Sequence, residues 1–198
     1  VRSIGGGGED TEPPQPDPDD WFPLEELAGR IAALVWVEQT IADLYELWSA
    51  LEPHSGARIL LAQAASHHRW HADILTQCLP TSPQLAEAAT PTSPTAGWAD
   101  AVTTLRSIDA ADQSPARIAA IVREIDPWLV RETTSLLDLA RPVADAHLTR
   151  WLRFIEIDHH DDGKVMAELL DALQANTISL ADRSVLSGID LRGSSTRP

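Results

Sequence analysis

Two histidine-bearing stretches carry the residues that could do chemistry. His68-x-x-His71 and Glu156-x-x-His159 each set two potential ligands three residues apart, which puts them on one face of a helix. Such a pair can chelate one ion, and a carboxylate from a neighbouring helix would add a charged oxygen. Glu38 and Glu132 are the carboxylates that fall where that neighbour is needed. Imidazole and carboxylate together suit iron, manganese or zinc. Burying several unpaired carboxylates would cost several kcal/mol apiece, and a divalent ion is the usual compensation. Glu124 and Asp162 stand in reserve, as ligands or as acceptors for histidine N–H groups.

The elements that must position these residues are helices. From Pro23, apolar residues recur at three- and four-residue steps (Leu27, Ile31, Leu34, Val35, Ile41, Tyr45, Trp48), with Glu38 near the middle of their arc. Glu52 to Gly56 breaks this first helix. The second carries Leu60, Ala64, His68, His71 and Leu75 on one stripe and ends at Leu79-Pro80. Residues 80–114 form a long connection with a short helix expected around Trp98 to Ile108. A third helix starts near Ser114-Pro115 and is expected to kink at Pro127. A fourth runs from about Asp145, with Leu148, Leu152, Ile155, His159 and Met166 inward. No segment alternates as a strand would. One long crossover between helices two and three, with short loops elsewhere, predicts an all-α four-helix bundle.

Axial level supports the ligand choice. Folding the first hairpin about residue 54 sets Glu38 level with His68 and His71, and folding the second about residue 143 or 144 sets Glu132 level with residues 154 to 156, hence with Glu156.

Composition narrows the function classes. The chain has 198 residues and a formal charge of -15, which argues against nucleic acid, since phosphate binding needs clustered Lys and Arg. Cys78 stands alone, so no internal disulfide and no cysteine-based zinc site is expected. No apolar run reaches the roughly 20 residues of a membrane span. Residues 1–20 read as a disordered acidic tail, 21–175 as the bundle domain, and 176–198 as a short helix or tail. A cytoplasmic location is expected from the cysteine usage.

The segment from Glu38 through Tyr45 and Pro53 to Ala65, His68, His71, Ala72 and Leu75 resembles the first half of the ferritin-like superfamily. There a Glu on helix one precedes a Glu-x-x-His motif on helix two, and here Glu38 precedes His68 by 30 residues. Helices three and four repeat the pattern in that family, and Glu132 with Glu156-x-x-His159 takes those places. The resemblance spans roughly residues 24–173. It implies a dinuclear, usually iron, centre that reacts with dioxygen. His68 departs from it, standing where the family has a bridging Glu. Glu132 lies 24 residues before Glu156, whereas Glu124 gives a more family-like 32 on a poorer face.

The resulting expectation is a non-haem centre of one or two iron ions, with manganese as the other choice. Its ligands would be Glu38, His68, His71, Glu132, Glu156 and His159, and its work the oxidation or oxygenation of a small organic substrate with dioxygen. No nucleotide or flavin motif is present, so electrons would come from the substrate or a donor protein; a homodimer is left open. Three other readings stand beside it. The DinB-like metalloenzymes hold one divalent ion through three histidines, and His159 to Lys164 loosely resembles their fourth-helix stretch. His160-Asp161 suggests an HD-type phosphohydrolase, although so short a motif is common. A bundle without metal, its histidines satisfied by Glu38, would serve as a binding or scaffold protein. Asp158, His160 and Asp161 are expected to face solvent.

Overall fold

The computed structural model describes residues 23–141 and 143–176. Among them all regular structure is helical. The acidic tail expected over residues 1–20 lies outside these residues, as does the C-terminal segment beyond Asn176. No helix among the described residues is long and apolar enough to cross a membrane.

Helix α1 (Leu24–Leu51) begins at Pro23 with Glu25 and Glu26 in its first turn, where the helix dipole favours negative charge. It ends at Glu52, and α2 (Ser55–Cys78) returns antiparallel against it along most of its length. Glu52 is a carboxylate buried at the wrong end of a helix dipole, and its surroundings answer that cost. Arg117 Nη2 donates to it at 2.9 Å, Ser114 Oγ at 2.8 Å and the His54 backbone N–H at 3.1 Å. Arg117 is itself fully buried, so this pair pins the first loop to the start of the second hairpin.

The connection contains α3 (Ala96–Arg106), on the residues where a short helix was expected. Thr95 caps its first turn, and Trp98 is buried edge-on to Trp128 at 4.8 Å. The third rod is assembled from α4 (Ser114–Ala120), a π-helical turn (Ile121–Ile125) and α5 (Asp126–Leu139). The expected kink at Pro127 takes this form. Proline has no N–H for the carbonyl one turn back and crowds it, and the wider turn just before Asp126 absorbs the mismatch.

Helix α6 (Ala146–Asn176) packs along α5, α4 and α2. Leu148, Leu152, Ile155, His159, Met166, Leu170 and Leu173 are its buried stripe, with a histidine where the repeat calls for a hydrophobe. The two hairpins bury one continuous apolar core. Its largest side chains include Trp48, Trp98 and Tyr45.

Candidate metal centre

Four ionisable side chains meet inside that core. Glu38 on α1, His68 and His71 on α2, and His159 on α6 are 0%, 3%, 0% and 3% exposed. One donor atom from each lies within 4.8 Å of all the others. Each sits on the apolar stripe of its helix, so the folding of three amphipathic helices is what brings them together.

The Glu38 carboxylate is the hub. His68 Nδ1 donates to Glu38 Oε2 at 2.6 Å, and His71 Nδ1 stands 3.5 Å from the same oxygen. His159 Nε2 is 3.0 Å from Oε1 but off the line a hydrogen bond needs, so both atoms are left without a partner. His71 Nδ1 and His159 Nδ1 are also buried and unpartnered. On its outer edge, His71 Nε2 donates to Asp158 Oδ2 at 3.1 Å. The imidazole rings pack edge-on, His71 against both His68 and His159.

Electrostatics follow from this geometry. Burial alone would push the Glu38 carboxyl up, but the His159 and His68 imidazoles outweigh it and hold it well below the usual carboxylate range. Burial pulls the His68 imidazole down, past the opposing attraction of Glu38. For His71 the balance reverses: Glu38 and Asp158 together overcome burial and raise it.

A divalent ion fits this donor set. Ligand atoms about 2.1 Å from one ion stand about 3.0–3.4 Å apart at tetrahedral or cis-octahedral angles. The observed cluster is within a small inward movement of that. The 2.6 Å contact is shorter than two ligands of one ion can be, so an ion would displace the proton that His68 shares with Glu38.

Two of the six expected ligands lie elsewhere. Glu132 is 28% exposed and accepts from Arg30 Nε at 3.0 Å. The π-turn resets the rotation of α5, so that Thr133 takes the fully buried inward position and Glu132 turns toward α1. Glu156 follows the buried Ile155 and so falls at the flank of the α6 stripe, where Thr134 Oγ1 donates to it at 3.0 Å. The reserve residue Asp162 accepts from His67 Nδ1 at 2.8 Å, outside the cluster. Glu124 falls within the π-turn and is half-buried. Asp158 is the opposite correction: expected to face solvent, it is half-buried and holds His71 in place. Its signal was its position one residue before His159, level with His71.

No protein-family model matches the chain, and neither a curated protein nor a solved structure is similar enough to it to count as a match.

Proposed function

We propose that this chain is a non-haem metal protein of ferritin-like four-helix-bundle architecture. Glu38, His68, His71 and His159 would hold one divalent ion, iron or manganese, for dioxygen-dependent oxidation of a small organic substrate. The observation that carries this reading is the convergence of four buried side chains with one donor atom each within 4.8 Å of the others; in the same cluster Glu38 Oε1, His71 Nδ1 and His159 Nε2 have no hydrogen-bond partner. When bound, such an ion supplies a redox-active Lewis acid with one or two open positions beyond its four protein ligands. The protein's own contribution is legible residue by residue. Glu38 brings the negative charge that offsets the ion. Asp158 accepts the Nε2–H of His71, which fixes the tautomer that turns Nδ1 inward. Tyr45, edge-on to His68 at 5.2 Å, holds that ring's plane.

Three imidazoles with a single carboxylate also favour a second reading, a single-metal enzyme of the DinB-like kind that works without redox change. Elemental analysis of protein purified without added metal separates the two. About one iron or manganese per chain, with dioxygen uptake on reduction, supports the oxidase. About one zinc or nickel per chain supports the second reading. A chain that takes up no metal even on reconstitution refutes both and leaves the scaffold. His71→Ala should abolish uptake with helical content retained.

A further inference from the structure

One layer along the bundle from the four-residue cluster, a second set of polar groups lies at the edge of the core, where Asp126, Asp162 and Gly163 are half-buried. Gly163 lies four residues beyond His159, about 6 Å along the helix axis. A Cβ on Gly163 would stand 3.0 Å from Asp126 Oδ2 and 3.6 Å from its Cγ, so the glycine leaves a notch in α6 that the Asp126 carboxyl fills. Asp126 is the first residue after the π-turn. Its Oδ2 is buried with no hydrogen-bond partner, and the Tyr45 hydroxyl, on a side chain only 1% exposed, has none either. Tyr45 feels the charges of Asp126, Asp162 and Glu38 together.

We propose that Asp126, its Oδ2 lodged in the Gly163 notch, is a proton-holding site distinct from the four metal-ligating side chains, and that it gives up its proton when a divalent cation seats in the neighbouring layer. The exchange half of this rests on the metal reading above. Two influences act on Asp126 in one direction, burial and the neighbouring Asp162 carboxylate. Asp162 on α6 repels a second negative charge, its own charge shared with His67 on α2. Tyr45 on α1 offers a neutral phenol, kept protonated by burial and by the surrounding acids. Burial, then Asp162, push the Asp126 carboxyl up to about 8. A cation one layer away adds positive charge in a medium of low polarity, enough to bring that value down by one to two pH units on the order-of-magnitude scale. The balance is simple: one carboxylic O–H bond breaks, its electron pair stays on Asp126, and the proton leaves to solvent.

The experiment has two arms on the full chain. Infrared spectroscopy of the metal-free protein near neutral pH should show the C=O stretch of a protonated carboxylic acid, absent from Asp126→Asn and titrating near pH 8 in the parent. Calorimetry with Mn²⁺ or Zn²⁺ in buffers of different ionisation heat then counts protons released per ion. Near pH 7.5 a group titrating near 8 is about three-quarters protonated, and a fall of 1.5 units leaves about a tenth, so the parent should release roughly 0.7 proton more than Asp126→Asn. Equal proton counts at equal metal stoichiometry overturn the exchange, and a parent spectrum without the acid band overturns the site. If the parent binds no ion, the metal reading and the exchange fall together, while the metal-free spectrum still decides whether Asp126 holds a proton. If Asp126→Asn does not fold, the difference spectrum of the parent with and without ion is decisive: the acid band must shrink on loading.

Discussion

Replacing Asp158 tests the centre without touching a ligand. Its Oδ2 accepts from His71 Nε2 at 3.1 Å, and its side chain is 35% exposed. Removing the carboxylate partner of a ligating histidine costs 10–100-fold in metal affinity. Two features put Asp158→Ala at the low end of that span. The contact is longer than the 2.7–2.9 Å of a strong charge-assisted bond, and water can reach the freed N–H and take over part of the work. The expected loss is about tenfold, or about 1.4 kcal/mol. Asp158→Asn keeps an acceptor oxygen and loses only the charge, so it should fall between, at about two- to threefold. Competition against a chromophoric chelator for Mn²⁺ or Zn²⁺ measures both. It is best run near pH 8, because Asp158 also raises the proton affinity of His71, and at lower pH its removal would ease metal entry by weakening the competing proton. A Asp158→Ala protein that binds the ion as tightly as the parent would refute the claim that His71 is oriented through Nε2 to present Nδ1.

Four further outcomes are expected. Arg117→Met should cost about 3–5 kcal/mol in urea denaturation by stranding the buried Glu52 carboxylate, and adding Glu52→Gln should recover more than half of it. The same carboxyl sets an acid limit: burial raises it, but bonds from Arg117, the His54 N–H and Ser114 outweigh burial and lower it. Its contribution is therefore complete above the unfolded value near 4.5 and is lost as pH falls through the lower folded one, a limb that Arg117→Met should flatten. Asp126 has the opposite sign, since its folded value of about 8 exceeds its unfolded value of 3.8. The folded state holds the extra proton in that window, so the metal-free protein should lose stability as pH rises through it, by several kcal/mol, and Asp126→Asn should be the more stable protein at pH 9 in thermal melts. Glu132→Ala and Glu156→Ala should leave metal stoichiometry unchanged and cost no more than about 1 kcal/mol each, because Thr134 is exposed and the half-buried Arg30 keeps Ser135 as an acceptor; loss of metal in either would restore them as ligands.

How far the centre could be read from sequence divides at the π-turn. On α1 and α2 the period is unbroken, so Glu38, His68 and His71 could be placed by face and level, and the heptad of α6 did the same for His159. On the third rod the proline signals a kink at Pro127 but not how far the residues beyond it rotate. The widened turn at Ile121–Ile125 rotates everything beyond it, which moves Thr133 inward and Glu132 out. A π-turn leaves no period in the sequence, only the proline that follows it. Asp126 was missed for the same reason: on a continuous α-helix it falls beside the apolar arc, and only the reset turn and the gap at Gly163 give its carboxyl a place. Gly163 was a visible cue, because a glycine inside a long helix costs stability and calls for a packing reason.

The hydrogen-bond count inside the cluster bears on why evolution would tolerate it. Three neutral imidazoles bring three N–H donors and three lone pairs to one carboxylate. His68 donates to Glu38 and His71 donates outward to Asp158, which leaves Glu38 Oε1, His71 Nδ1 and both nitrogens of His159 unpartnered in the core. An orphaned buried polar atom costs about 1–3 kcal/mol, and here that cost is partly offset, because Glu38 Oε1 and His159 Nε2 still face each other at 3.0 Å and His71 Nδ1 stands 3.5 Å from Glu38 Oε2. A divalent ion would act on three of the four at once: Oε1, His71 Nδ1 and His159 Nε2 would become ligands, and the Glu38 charge would be neutralised where it is most costly. Replacing the four residues by Leu and Met would remove the cost without any ion, so a fold selected for stability alone would not keep them. The arrangement is stable enough to exist only because Trp48, Tyr45 and the leucines around it bury so much apolar surface, and that is the usual relation between a core and the site it supports.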